Sequence, residues 1–273
     1  MLTQRSARVR EARKLTRRQG RAKAGLFLAE GPQAVREALA ATAEERPGLV
    51  AELFASPPAA TRYADIIDAA LVAGVPVHHA DEPALAALSE TVTPQGLVAV
   101  CRPVTVSLDA ALGRTPQLVA ILAEARDPGN AGTVIRCADA AGAHAVVLSH
   151  GSVDPHGGKC VRAAAGSLFH LPICADVELE AVIAATRLRG LTVLAADGAG
   201  RVDLDDAEAT GLLAQPTAWL FGNEAYGLPA GTTALADEVV RVPIYGRAES
   251  LNLAAAAAVC LYASARVHRR QVR

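Results

Sequence analysis

The chain has 273 residues, 51% of them hydrophobic, and a net charge of −1. That is enough apolar material for one large core or two modest ones, and the near-neutral balance excludes global charge as the source of any affinity for a polyanion. No run of about 18 apolar residues occurs and the first residues are too densely charged for a signal peptide, so a membrane span is excluded and a cytoplasmic protein is expected.

Charge is unevenly placed along the chain. Residues 1–25 carry Arg5, Arg8, Arg10, Arg13, Lys14, Arg17, Arg18, Arg21 and Lys23 against the single acid Glu11. Such an end reads as a basic helix forming a phosphate-binding arm, with Arg5, Arg8, Arg13, Lys14, Arg17, Arg18, Arg21 and Lys23 as candidate RNA contacts; a solvated helix with a positive face is the alternative. Short strands follow at 26–29, 52–55, 75–78 and 97–101, separated by helical patterns at 32–42, 60–73 and 82–90, which makes residues 1–102 a small α/β domain. Residues 103–116 have prolines near both ends and a weak apolar pattern, and read as a linker. Beyond it, apolar runs at 118–122, 145–148, 192–195, 218–221 and 239–244 alternate with helical segments near 131–141, 158–166, 177–188 and 251–267. Strands that are apolar throughout are buried on both faces, so residues 117–273 are expected to form a mostly parallel sheet covered by helices on both sides. The alanine-rich stretch 253–258 reads as a close-packing helix face. The chain closes on Arg266, His268, Arg269, Arg270 and Arg273, which suit a phosphate contact and a solvated helix end equally well.

The five cysteines are scattered, with no C-x-x-C pair and no His at ligand spacing, which argues against a disulfide framework and a zinc site; no metal is expected. They read as small core residues in a reducing compartment. In a parallel sheet ligands bind beyond the C-terminal ends of the strands, and three polar clusters fall there. One is Asp127-Pro128-Gly129-Asn130-Ala131-Gly132 running on to Arg136, the second Gly222-Asn223-Glu224, the third Glu249-Ser250-Leu251-Asn252. Any one of them alone suits a turn or a helix cap. No G-x-G-x-x-G follows a strand, and neither a P-loop nor a G-x-S-x-G elbow is present, so dinucleotide, nucleoside-triphosphate and serine-hydrolase readings lose their usual support.

Taken together and in order, the 127–136 segment, Leu220-Phe221-Gly222-Asn223-Glu224-Ala225-Tyr226-Gly227-Leu228, and Val242-Pro243-Ile244 through Ser250-Leu251-Asn252-Leu253 resemble the three motifs of the SpoU (TrmH-type) RNA ribose 2′-O-methyltransferases of the SPOUT superfamily. Residues 161–169 resemble the segment linking the first two motifs. Residues 1–100 resemble the ribosomal-protein-like substrate-binding domain of the ribosomal-RNA branch, including its thiostrepton-resistance type.

The resemblance implies S-adenosylmethionine as methyl donor, ribosomal RNA as substrate, a deep trefoil knot and a homodimer with a composite site. It places the donor around Gly222, Val242 and Leu251, with Ile244 and Leu253 as apolar walls and the glycine leaving room for the adenosine. Asn130 and Arg136 match the substrate side, and Glu224, Ser250 and Asn252 the polar residues that shape the site. An arginine side chain keeps its proton to above about pH 12, so Arg136 is expected to bind phosphate and steer the ribose oxygen, with its part as proton acceptor left open. Ala164, Ala254 and Gly157-Gly158 depart from common family residues and bear on helper hydroxyls only. An RNA base methyltransferase on a related knotted fold and a non-catalytic RNA-binding ribosome-assembly factor stay open as alternatives.

Overall fold

A computed structural model describes residues 1–44 and 46–271; Arg273, one of the C-terminal cations, lies outside the described residues. The chain forms two compact units. The first comprises Met1–Val104 together with Asp154–His170, the second Thr105–Val153 together with the chain from Leu171 onward.

In the first unit, strands β1 (Phe27–Glu30), β2 (Val50–Ala55), β3 (Val77–His79) and β4 (Leu97–Cys101) form a sheet of order β1-β4-β2-β3. β4 runs antiparallel to β1 and β2, while β2 and β3 are parallel. The basic N-terminus is not an arm. Leu2 bridges Ala80 beside β3, and the helix Ala7–Arg13 sinks Val9 and Ala12, followed by Leu15, into a core with Phe54, Leu85 and Leu88. Apolar residues three apart supply the buried stripe that the dense cations obscure in the sequence.

The segment 154–170 also departs from expectation. Its helix Gly158–Ala164 buries Cys160, Val161 and Ala164 within the first unit rather than with the residues that flank it in sequence. Arg21 reaches Asp154 at 2.7 Å with both side chains largely buried (10% and 19% exposed), and Arg162 reaches Glu30 at 2.9 Å. The Phe27 ring lies 4.6 Å from His156 and 6.2 Å from Phe169 between centroids. Burial acts to raise the Asp154 carboxyl, but hydrogen bonds from His156 and Arg21 outweigh it and hold the group well below the usual carboxylate range.

The second unit contains β5 (Leu118–Leu122), β6 (Ala145–Ser149), β7 (Ile173–Val177), β8 (Thr192–Ala196), β9 (Val202–Asp203), β10 (Thr217–Phe221) and β11 (Glu238–Arg241). Their order is β7-β6-β5-β10-β8-β11-β9, and every neighbouring pair is parallel. Residues 105–116 are not a linker: Thr105 bridges Ile173, and the helix Leu108–Leu112, capped by Ser107, places Ala111 and Leu112 in the core. One face of the sheet presents Val119, Ile121, Ala218 and Leu220 to that helix and to Val182 and Ile183 of the helix Leu179–Leu188. The other face carries Trp219, whose Nε1 donates to Ser264 Oγ at 2.9 Å on the final helix Leu253–Gln271. Ala254 and Ala257 are buried there, and their small side chains let this helix lie close against its neighbours. β11 stops at Arg241, short of the expected 244, because Pro243 has no N–H to give a sheet.

After β5 the chain builds toward β6 and β7; from β8 onward it builds on the other side. β5 and β10 meet at that reversal, with Leu122 paired to Phe221. A crevice at such a switch point is where open parallel sheets place ligands.

Candidate active site

The loop leaving β5 enters the helix Pro128–Ala141 through a strong start signal. The Asp127 carboxylate accepts from the Asn130 backbone N–H at 2.8 Å, and Pro128 takes the first helical position, where its missing N–H costs nothing. Glu124 in this loop has φ of 51°, a left-handed backbone that a non-glycine residue adopts only when held there. Two contacts hold it: the Glu124 N–H donates to Ser149 Oγ at 3.0 Å, and Asn223 Nδ2 donates to the Glu124 carbonyl at 2.7 Å.

Asn223 belongs to the tight hairpin after β10. It exchanges both backbone hydrogen bonds with Gly227, at 2.9 and 2.8 Å. A Cβ on Gly222 would lie 2.4 Å from the Gly227 carbonyl carbon. The glycine is therefore required by the close approach of the chain's own hairpin, an account independent of the room expected there for an adenosine.

From this hairpin Glu224 reaches across to the β5 loop. Its carboxylate accepts from the backbone N–H groups of Arg126 and Asp127, each at 3.1 Å, and from Asn130 Nδ2 at 3.3 Å. A carboxylate can only accept, so Asn130 must turn its amide nitrogen to Glu224 and its oxygen outward. That oxygen accepts from Asn252 Nδ2 at 3.0 Å. Asn252 Oδ1 in turn accepts from the N–H groups of Ala254 and Ala255 at the start of the final helix, at 2.9 and 3.4 Å. One hydrogen-bonded chain, Glu224 to Asn130 to Asn252, thus connects all three polar clusters. Two helix N-termini point into the same place and favour negative charge there.

The remaining candidates lie around this chain. Arg136 sits six residues beyond Asn130, about 9 Å further along the helix; it is exposed and makes no hydrogen bond or ion pair among the described residues. Ser250 lies in the irregular stretch 242–252, exposed and without a side-chain hydrogen bond among the described residues. Val242 and Leu253 are half-buried, whereas Ile244 and Leu251 leave 39% and 40% of their surface open. Asn223 and Asp127, which brace the site, were named within the polar clusters but given no role from sequence; for Asp127, the Asp-Pro pair before a helix was the available signal.

The basic N-terminus divides into two groups. Arg21 is taken up by Asp154 and by the carbonyls of Leu15 and Thr16, Arg8 pairs with Glu52, and Lys14 pairs with Glu11. Arg5, Arg13, Arg17, Arg18 and Lys23 are exposed and have no ion pair among the described residues. No helix among the described residues is long and apolar enough to cross a membrane, and no group of three or more His, Cys, Asp or Glu among them could hold a metal ion.

The wired clusters lie inside residues 117–262, which match the family model described as the SpoU rRNA Methylase family. The chain belongs to this family. Residues 6–99 match the MRM3-like substrate binding domain. Among SpoU relatives, the chain is 35% identical to the 23S rRNA (guanosine(2553)-2'-O)-methyltransferase RlmP of Bacillus subtilis, over 93% of this chain and 94% of that protein. It is 31% identical to the 23S rRNA (guanosine-2'-O-)-methyltransferase RlmB of Bordetella pertussis, over 75% of this chain and 84% of that protein. The AdoMet-bound rRNA methyltransferase from Sinorhizobium meliloti superposes with a TM-score of 0.81 at 30% identity, covering 96% of this chain and 95% of that one. The SpoU methyltransferase AviRb from Streptomyces viridochromogenes, also solved with AdoMet, gives 0.81 at 29%, covering 98% of this chain and 100% of that one.

Proposed function

We propose that this SpoU-family protein transfers a methyl group from S-adenosylmethionine to a ribose 2′-hydroxyl of ribosomal RNA. The observation that carries the reading is the Glu224–Asn130–Asn252 chain, which fixes the ends of three separate segments at the switch point of the sheet. Named relatives that methylate 23S rRNA at the 2′-oxygen support it.

The donor supplies an electrophilic methyl on a sulfonium. Partly open apolar side chains at Ile244 and Leu251, with Val242 and Leu253 beside them in sequence, fit an adenosine that would cover them. The protein's own work is alignment: oxygen, methyl and sulfur must lie in line. Glu224, through the Arg126 and Asp127 amides, holds the loop that begins the Asn130 helix. Asn130 and Asn252 keep that helix and the final helix in register. Arg136 projects a free guanidinium whose planar fork suits a phosphate adjoining the target ribose, and Ser250 offers a hydroxyl from the donor loop.

The exposed cations Arg5, Arg13, Arg17, Arg18 and Lys23 supply phosphate contacts for RNA capture, and a cytoplasmic location follows from a ribosomal substrate. The same reading includes the deep trefoil knot of the superfamily and a homodimer. For the dimer, Val259 and Tyr262 leave 43% and 47% of their surface open, one helical turn apart on the final helix, an apolar stripe suited to a second copy; a sedimentation measurement giving an active monomer removes it.

The deciding experiment supplies ribosomal RNA and isotopically labelled donor, then digests the product to nucleosides. Label on a ribose oxygen is expected. Label on a base would transfer the protein to the base-methylating alternative, and no label with no donor binding would leave an RNA-binding assembly factor.

A further inference from the structure

At the edge where the strands begin, opposite the candidate site, lies an open groove of about 660 Å³. Gln117, Gly142 and His144 form one side of it, and His268, Arg269 and Arg270 of the final helix the other. Its volume is in the range of whole ligand sites and exceeds the need of a single small ion. Among the described residues no carboxylate lines it.

Cations at a helix C-terminus have an ordinary explanation, since they complement the negative end of the helix dipole. Magnitudes decide whether that exhausts them here. The final helix and the helix Pro128–Ala141 both end at this groove, and each contributes about half a negative charge. Arg266 and Arg270 share one carboxylate, Glu208, at 3.0 Å each. Arg269 is exposed and has no ion pair among the described residues. Three guanidiniums against one carboxylate and two helix ends leave roughly one net positive charge, before either imidazole is protonated. His144 Nδ1 accepts the Gln117 backbone N–H at 3.2 Å, so its Nε2 is the nitrogen that can present a proton. His268 Nε2 meets the Gln215 carbonyl at 3.1 Å. Burial first, and then the charge of His268, keep the His144 imidazole below its ordinary range.

We propose that this groove is a second RNA contact that grips phosphate backbone at a distance from the site of chemistry. The inference rests on RNA being the substrate. An anion seated there would be met by Arg269 and by the Nε2–H of His144, and would draw a proton onto the other ring nitrogen, Nδ1, of His268, whose charged neighbours are Arg266 and Arg270 on the same helix and the Glu208 carboxylate that pairs with both.

Two measurements on the full chain test it. In the first, imidazole resonances of His144 and His268 are followed by NMR while a short single-stranded RNA, and separately inorganic phosphate, is added to the protein without donor. RNA is expected to move both resonances and to raise the midpoint of His268. A response to phosphate with none to RNA would make the groove a small-anion site and overturn the proposal. In the second, RNA affinity is measured between about 50 and 200 mM salt for Arg269→Glu and for the milder Arg269→Gln. One lost phosphate contact should lower the slope of log affinity against log salt by about 0.7–0.9, so each variant loses about threefold less affinity than the parent across that range. Arg62→Glu, an exposed change in the other unit, should leave the slope alone. Variants that fold, as judged by melting, and keep the parental slope and affinity would refute the groove. Failure of the methylation reading would appear instead as parent protein that neither binds donor nor labels RNA, whatever the imidazoles do.

Discussion

Replacing Glu224 with Gln separates bracing from chemistry. The carboxylate accepts two backbone N–H groups at 3.1 Å and the Asn130 amide at 3.3 Å. These are long for charge-assisted bonds, and the side chain is exposed, so each contributes nearer about 0.5–1 kcal/mol than the 1.5–3 of a buried one. A glutamine keeps one acceptor oxygen and turns an N–H toward a backbone N–H, forfeiting about 1–2 kcal/mol of loop order. That corresponds to about a 5–30-fold lower ratio of ordered to open loop, since 1.4 kcal/mol is tenfold. Single-turnover methyl transfer at saturating donor should slow measurably and by no more than that factor, with the melting temperature lowered by less than about 4 °C because the opening is local. A Gln variant with the parental single-turnover rate would refute the bracing role. A loss far beyond about 100-fold would refute bracing as the whole account and give the carboxylate a share in moving the proton.

Arg136→Ala should abolish methyl transfer while calorimetric donor affinity stays within about twofold, and Arg136→Lys should also lose most activity because an ammonium lacks the planar fork. Gly222→Ala should lower the melting temperature and donor affinity together, because its Cβ meets the Gly227 carbonyl; parental values of both would show that the hairpin yields. The depressed Asp154 carboxyl contributes stability present in full above its unfolded value near 4 and lost as pH falls below it toward the folded value, so Asp154→Asn should flatten the acid limb of stability followed by circular dichroism. Reversing Arg5, Arg13, Arg17 and Arg18 together should reduce the salt slope of RNA binding, by about 0.7–0.9 for each true contact, without affecting melting. Arg21→Glu should instead destabilise, since it sets a second carboxylate against Asp154.

The central strands β4, β5, β6 and β10 were legible because each is an uninterrupted buried apolar run. β7 was not. Its sequence includes Asp176 in a left-handed conformation, and as an edge strand it is buried only at Ile173 and Cys174. Pro103 and Pro116 suggested a linker, but a five-residue helix between them is too short to show a period. Asn130, Glu224 and Asn252 were legible as motif residues, whereas their hydrogen-bond order was not, because it depends on which strand ends meet across a sheet. Arg21 looked like its eight basic neighbours; what sets it apart is an acid 133 positions away.

The discontinuity of the first unit has a consequence for synthesis on the ribosome. When Val104 emerges, Arg21 still lacks Asp154 and the buried Glu30 still lacks Arg162. At about 5–20 residues per second, the nascent chain waits on the order of 3–13 s for His170 to appear. During that interval Phe27 has neither His156 nor Phe169 to cover it, so the newborn first unit exposes apolar surface of the kind that chaperones bind. Its completion is timed by translation of a segment that lies between two strands of the second sheet, and slow codons between 105 and 170 would lengthen the exposure.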